Sequence, residues 1–96
     1  MTPEYGIIVT HLIDIKTEIQ NQLVKEDRYI NTGKLIELSS YLANKSLLAK
    51  IPSEEAKTLD GFGKTFYFQM SVRENLELRL EDVNKLISMF RAKLES

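Results

Sequence analysis

Six apolar side chains near the C-terminal end recur at steps of four and three residues without a miss. They are Leu76, Leu80, Val83, Ile87, Phe90 and Leu94. An α-helix turns once every 3.6 residues, so this spacing places all six on one face. Such spacing is typical of coiled coils and helical bundles, in which the apolar face packs against another helix. The stripe therefore predicts a long C-terminal helix in an all-α domain.

The N-terminal half predicts two further helices. The apolar positions of the first are Ile8, Leu12, Ile15 and Ile19. They repeat the four-three-four spacing and predict a helix over about 3–26. A second apolar stripe predicts a helix over about 33–50, which must end there because Pro52 disfavours helical geometry at the residue before it. The segment between them is short enough for an antiparallel helical hairpin.

The third predicted helix runs over about 53–95, with a possible break at 61–63, where two glycines weaken it. When the C-terminal stripe is extended backwards along this helix, it meets Gln69 and Arg73. A polar pair on an apolar seam can fix the register in which helices associate. The planar guanidinium of Arg73 could instead bind a carboxylate or a phosphate. The interpretation that we favour over both is a local kink that turns the two side chains to solvent.

The segment 64–80 also shows an alternation of apolar and polar side chains, which is typical of strands. With Arg73, Glu74 and Asn75 as the turn, this pattern gives an α+β alternative that contains a β-hairpin at about 64–80. We favour the helix because Leu, Glu and Arg in the sequence LELRL are good helix formers. The prediction is a single domain, residues 1–96, with a helical hairpin packed on a long C-terminal helix.

Length and charge restrict what such a domain can do. The 96 residues include 13 basic and 14 acidic side chains, for a net charge of −1, and no cysteine. Balanced charge makes nucleic acid an unlikely partner, and no apolar run approaches the roughly 20 residues that cross a bilayer. The lack of cysteine excludes disulfides and thiolate metal sites. We expect a cytoplasmic protein with no membrane contact.

The sequence GKT at residues 63–65 matches the end of a phosphate-binding P-loop. The complete motif requires a glycine five residues earlier, where this chain has Thr58. A weaker interpretation is that backbone amides around 61–63 hold an anion together with nearby polar side chains. The resulting ligand-binding candidates are Gly61, Gly63, Lys64, Gln69 and Arg73, with phosphate or a nucleotide as the ligand.

His11, Asp14 and Glu18 share one helical face, beside the apolar stripe. Their side chains are of types that bind metal ions, but this is the single histidine of the chain and a solvated polar face is the commoner outcome. No nucleophile lies at a spacing that would make His11 part of a catalytic triad. We predict no catalytic residue, no metal site and no cofactor.

A third helix of about 43 residues would be about 64 Å long, roughly twice the length of the second. The stripe from Val83 to Leu94 would then be exposed in a monomer, and exposed apolar surface of that size marks an interaction site. We therefore expect the six stripe residues to form an interface in a homo-oligomer.

The predicted function is that of a non-catalytic adaptor or regulator that binds another protein, in keeping with a phage or mobile-element accessory protein. A small-ligand or anion-binding module is the alternative.

Overall fold

The computed structural model describes residues 3–64 and 70–95, and 84% of these residues are helical. The helices are α1 (Pro3–Leu23), α2 (Gly33–Leu42), the single turn α3 (Lys45–Leu48), α4 (Ser53–Lys64) and α5 (Val72–Glu95). A 3-10 turn over Asp27–Tyr29 lies between α1 and α2. These two described ranges contain no strand, so the all-α prediction is confirmed. None of their helices combines the length and apolar character needed to cross a bilayer.

The core lies mainly between α1 and α5, which form the largest helix–helix contact among the described residues. On α1 the fully buried side chains are Ile8, Leu12, Ile15 and Ile19, the stripe that the spacing predicts. Helix α2 packs on α1 and on α4, and α3 packs on α4. The predicted arrangement, a helical hairpin packed on a long C-terminal helix, is confirmed.

The apolar stripe of α5 is part of this core and is not a surface. Leu76, Val83, Ile87 and Phe90 are buried within the single chain, and Leu80 and Leu94 are partly buried against the same cluster. The expectation that the stripe from Val83 onward is exposed in a monomer is therefore wrong. The prediction fails because it assumes too long a third helix. The longest dimension of the molecule is 42 Å, whereas that helix would be about 64 Å long.

The second predicted helix is divided at Asn44 into α2 and α3. The Asn44 side chain accepts hydrogen bonds from the backbone amides of Ser46 (2.9 Å) and Leu47 (3.2 Å), which is the N-cap geometry of a new helix. The predicted span of about 33–50 is thus too long for one helix. Helix α1 likewise ends at Leu23, three residues before the predicted end.

A capping box sets the start of α5 and interrupts the long third helix. The Glu74 amide donates to Ser71 Oγ at 3.1 Å, and the Ser71 amide donates to Glu74 Oε1 at 3.3 Å. Met70 and Ser71 are not helical, so one helix over 53–95 does not exist. The β-hairpin alternative is also wrong, because its second strand and its turn at 73–75 belong to α5; residues 65–69 of its first strand lie outside the described residues.

Helix α4 continues through Gly61 and Gly63 to Lys64, so the predicted break at 61–63 is absent. No described glycine has a positive φ. Leu59 is fully buried and Phe62 nearly so, which anchors this part of α4 to the core. Burying two large apolar side chains contributes about 1.5–3 kcal/mol each, more than the roughly 1 kcal/mol that each glycine costs a helix.

Truncation of Phe90 tests whether the α5 stripe is an internal core. Phe90 is fully buried against α1 and its ring lies 5.8 Å from that of Tyr5. We expect Phe90→Ala to lower the free energy of unfolding by about 3–5 kcal/mol. Ile36→Ala on the exposed face of α2 should change it by less than about 0.5 kcal/mol. Urea denaturation at two protein concentrations measures both effects. A loss for Phe90→Ala that disappears at low protein concentration would instead place Phe90 in an intermolecular interface.

Candidate functional site

A cleft lies between α4 and α5, which pack mainly on other helices rather than closely on each other. Its volume is about 440 Å³. Helix α4 lines it with Lys57, Thr58, Gly61 and Phe62, and α5 lines it with Arg79, Asp82, Lys85, Leu86 and Met89. The lining combines apolar and cationic side chains with Thr58 and Asp82, a composition that suits a ligand with both apolar and charged groups.

A stacked pair, Phe62 and Arg79, forms the floor of the cleft. The guanidinium carbon of Arg79 lies 4.6 Å from the centre of the Phe62 ring, and both residues are 8% exposed. Arg79 also donates from Nη2 to Ser39 Oγ of α2 at 3.0 Å. Burial lowers the pKa of Arg79, although the charge of Asp82 opposes this. Arginine stays charged in proteins, so the cleft has a permanent positive charge at its base.

Two lysines stand on opposite walls of the cleft. Lys57 belongs to α4 and Lys85 to α5, and both are exposed. Within residues 3–64 and 70–95, neither ammonium group has an ion-pair or hydrogen-bond partner. Asp82 is the one acidic residue among the described lining residues, so the cleft holds three positive charges against one negative charge.

Gly61 has no side chain, so the α4 side of the cleft is open at this position. A Cβ atom built on Gly61 would meet no atom within 4 Å, so a larger side chain there would extend into open space. Gly6 of α1 has the same property, and it lines a shallow depression on another part of the surface together with His11 and Tyr41. The two glycines provide a matched pair of positions for blocking one concave surface without the other.

Of the predicted ligand-binding residues that the structure describes, Gly61 and Arg73 have different surroundings. Gly61 lines the α4–α5 cleft, and Gly63 and Lys64 form the last backbone turn of α4. Gln69 lies outside the described residues. Arg73 contacts the end of α1 and is not part of the cleft lining. The loop that was expected to hold an anion is helical, so its amides are occupied by the hydrogen bonds of α4.

Arg73 caps the C-terminal end of α1. Its Nη1 donates to the carbonyl oxygen of Leu23 at 2.8 Å, its Nη2 donates to that of Lys25, and its Nε pairs with Asp27 Oδ1 at 2.6 Å. The last carbonyl groups of a helix have no partner inside it and carry partial negative charge. Arg73 therefore satisfies these groups from the first turn of α5, a role different from register selection or ligand binding.

Glu55 joins three helices through a buried carboxylate. Tyr5 Oη of α1 donates to Oε2 at 2.7 Å, and Lys93 Nζ of α5 lies 3.0 Å from Oε1. Burial alone would raise the pKa of Glu55, but the hydrogen bonds from Tyr5 and Lys93 and the charge of Lys93 outweigh it, so this pKa is lowered. The hydrogen bond to Glu55, with desolvation and the carboxylate charge, raises the pKa of Tyr5.

Two of the three metal-type side chains on α1, His11 and Glu18, have partners of their own. His11 Nε2 donates to the carbonyl oxygen of Leu38 at 2.6 Å, and its ring lies 4.4 Å from that of Tyr41. Glu18 is buried and accepts a hydrogen bond from Gln22 at 2.7 Å. No group of three metal-ligating side chains occurs among the described residues.

Sequence reasoning missed Arg79, Glu55 and the lysine pair. Arg79 follows Leu76 by three residues and precedes Val83 by four, so it lies on the apolar side of its helix. That position is a signal that Arg79 is buried. Lys57 and Lys85 come together only because α4 folds back beside α5, and no spacing in the sequence indicates that pairing.

Comparisons with known proteins were made by family, by sequence and by structure. No protein-family model, no curated protein and no solved structure matches this chain.

Replacement of Arg73 tests its capping role. Arg73→Leu removes the donors for the carbonyl groups of Leu23, the last residue of α1, and Lys25, which follows it, so we expect the free energy of unfolding to fall by about 1–3 kcal/mol. Arg73→Lys keeps the charge but cannot bridge three acceptors with a planar fork, and should restore only part of this loss. Arg28→Leu is the control, since its ion pair with Glu26 is exposed and worth less than about 1 kcal/mol. An Arg73→Leu protein as stable as the wild type in urea denaturation would contradict the capping role.

The lowered pKa of Glu55 predicts a pH dependence of stability. A carboxyl group whose pKa is lower in the folded state stabilises the protein above its unfolded pKa, about 4.3, and this stabilisation is lost as pH falls through the folded pKa. We expect Glu55→Gln to cost about 1–2 kcal/mol near pH 7 and progressively less towards acid. Glu54→Gln, at the exposed neighbouring position, is the control. A wild-type to Glu55→Gln difference that stays constant from pH 7 to 3 in urea denaturation would contradict the assignment.

Proposed function

We propose that this protein is a non-catalytic binding module, an adaptor or regulator that holds a segment of another protein in the α4–α5 cleft. The observation that carries the proposal is the cleft itself, a partly apolar concave surface between two helices. Phe62, Leu86 and Met89 supply apolar contact area, and methionine adapts its shape to different partners. Such a surface, with apolar contact area in a concave site, supports the binding of an apolar face of a partner.

The dimensions of the cleft suit an amphipathic helix. Its lining extends along α5 from Arg79 to Met89, about 15 Å at 1.5 Å per residue. About three turns of a partner helix cover that distance, and apolar side chains at positions i, i+4 and i+7 of such a helix would face the cleft. Recognition of this kind requires two flanking helices that stay in place, and Arg79 ties α5 to α2 directly beneath the cleft.

The wider predictions about the protein rest on the sequence alone. Homo-oligomerisation was expected from an exposed α5 stripe, and those side chains are in the core of one chain. Self-association therefore stays a prediction without that support, and sedimentation equilibrium tests it. A cytoplasmic location and a role as a phage or mobile-element accessory protein likewise stay predictions from size, charge and absence of cysteine.

A nuclear magnetic resonance titration tests the proposed function. Three amphipathic peptides of about 14 residues are used, each with leucines at i, i+4, i+7 and i+11 and with glutamate, glutamine or lysine at the other positions. We expect at least one peptide to shift the amide signals of residues 57–62 and 79–89 in the isotope-labelled protein. Gly61→Phe, which extends a ring into the cleft, should weaken that binding by at least about tenfold.

Matched variants decide whether the cleft is the site. Gly6→Phe adds the same ring at the other open glycine and should leave peptide binding unchanged. Gly61→Ala should also bind, and should be up to about 1 kcal/mol more stable because alanine favours a helix. The proposal is overturned if no peptide shifts the cleft signals at about 1 mM, or if Gly6→Phe weakens binding as much as Gly61→Phe.

A small-ligand or anion-binding module is the second candidate function. The cleft volume of about 440 Å³ falls within the range of small-molecule sites, about 300–1,000 Å³. A ligand that binds the folded state alone raises the melting temperature by mass action. Thermal melts with phosphate, sulfate and a nucleotide therefore test this candidate, and stabilisation that is lost in Gly61→Phe would favour it over protein binding.

A further inference from the structure

We infer that the segment bound in the α4–α5 cleft is acidic, with carboxylate side chains that reach Lys57 on one wall and Lys85 on the other. This inference rests on the proposed function and adds the chemistry of the partner. Its basis is charge complementarity, since the described lining of the cleft contains three cationic groups and a single acid. The whole chain has a net charge of −1, so the positive charge is a local property of this cleft.

The two lysines are positioned to contact a partner without first losing an internal one. Both ammonium groups are exposed and have no ion pair among the described residues. Elsewhere Arg28, Arg73 and Lys93 are each paired with an acid. A carboxylate that binds Lys57 or Lys85 therefore replaces water rather than a competing protein carboxylate, which keeps the cost of binding low.

Arg79 adds to the preference for an acidic partner, and it does not have to contact the partner to do so. Its guanidinium is stacked on Phe62 and hydrogen-bonded to Ser39, which fixes a positive charge at the floor of the cleft. Charges interact more strongly where water is excluded, so Arg79 favours an acidic segment and disfavours a basic one. Asp82 offsets one positive charge and leaves the cleft cationic.

The resulting occupant is an amphipathic helix with apolar side chains on one face and glutamate or aspartate beside them. Apolar side chains would contact Phe62, Leu86 and Met89, while acids on both flanks would lie near Lys57 and Lys85. Charged groups at the edge of an interface contribute chiefly to specificity and to the rate of association. Lys57 and Lys85 are thus specificity-determining residues, and the apolar floor supplies most of the affinity.

The three peptides of the titration test this inference by their order of affinity. We expect the glutamate peptide to bind more tightly than the glutamine peptide, and the lysine peptide to bind most weakly. Lys57→Gln and Lys85→Gln should each weaken the glutamate peptide by about threefold, with about tenfold for the double variant. Neither substitution should change the affinity for the glutamine peptide. Raising the salt concentration to about 0.5 M should weaken the glutamate peptide alone, because salt screens exposed charges.

Charge reversal and a distant lysine complete the experiment. The double variant Lys57→Glu with Lys85→Glu should prefer the lysine peptide, whereas Lys50→Gln, an exposed lysine outside the cleft, should behave as the wild type. Circular dichroism melts verify that each variant is folded. If the glutamine peptide binds the cleft as tightly as the glutamate peptide, the inference is overturned and the proposed function stands. If no peptide shifts the cleft signals, the proposed function fails first.

Discussion

The packing of α1 against α5 is the interaction on which the rest of the fold depends. Four fully buried aliphatic side chains of α1 meet the buried stripe of α5, and the remaining helices are added to this pair. Burial of apolar surface is the dominant favourable term in folding, and it has no preferred direction. The α1–α5 contact therefore explains the stability of the fold, while the exact placement of the shorter helices needs additional, directional contacts.

Polar side chains near the core supply those directional contacts. Arg73 ties the start of α5 to the end of α1, Glu55 ties α4 to α1 and α5, and Arg79 ties α5 to α2. Each group has defined partners, which is the condition under which a polar side chain can be buried without a large penalty. Because the Arg79 contact lies directly beneath the cleft, the contacts that fix the helices also determine the shape of the candidate binding surface.

The sequence predicts the long elements well because their apolar spacing is regular over many turns. It predicts their ends less well, although two signals were present: the Ser71-x-x-Glu74 capping box and Asn44 before Ser46 and Leu47. Most of the candidate site cannot be predicted from the sequence. The sequence predicts Gly61 in an anion-binding loop, but Gly61 lines the cleft from within a helix, and Lys57 and Lys85 line the same cleft only through tertiary packing. The position of Arg73 on the apolar seam can be read from the sequence, but its partners cannot, because they lie about fifty residues away.

The pairing of α1 with α5 also determines when this protein can fold during synthesis. Helix α1 is translated before α5, the helix that covers its apolar face, and about fifty residues separate the two. Contacts between distant parts of a chain form only after the entropy of closing the intervening loop has been overcome. Until Phe90 has emerged, the isoleucines of α1 have no complete cover, and such exposed apolar surface attracts chaperones and promotes aggregation. A nascent chain that stalls before α5 would therefore be recognised by the cell as unfolded, however well α1 and α2 have paired.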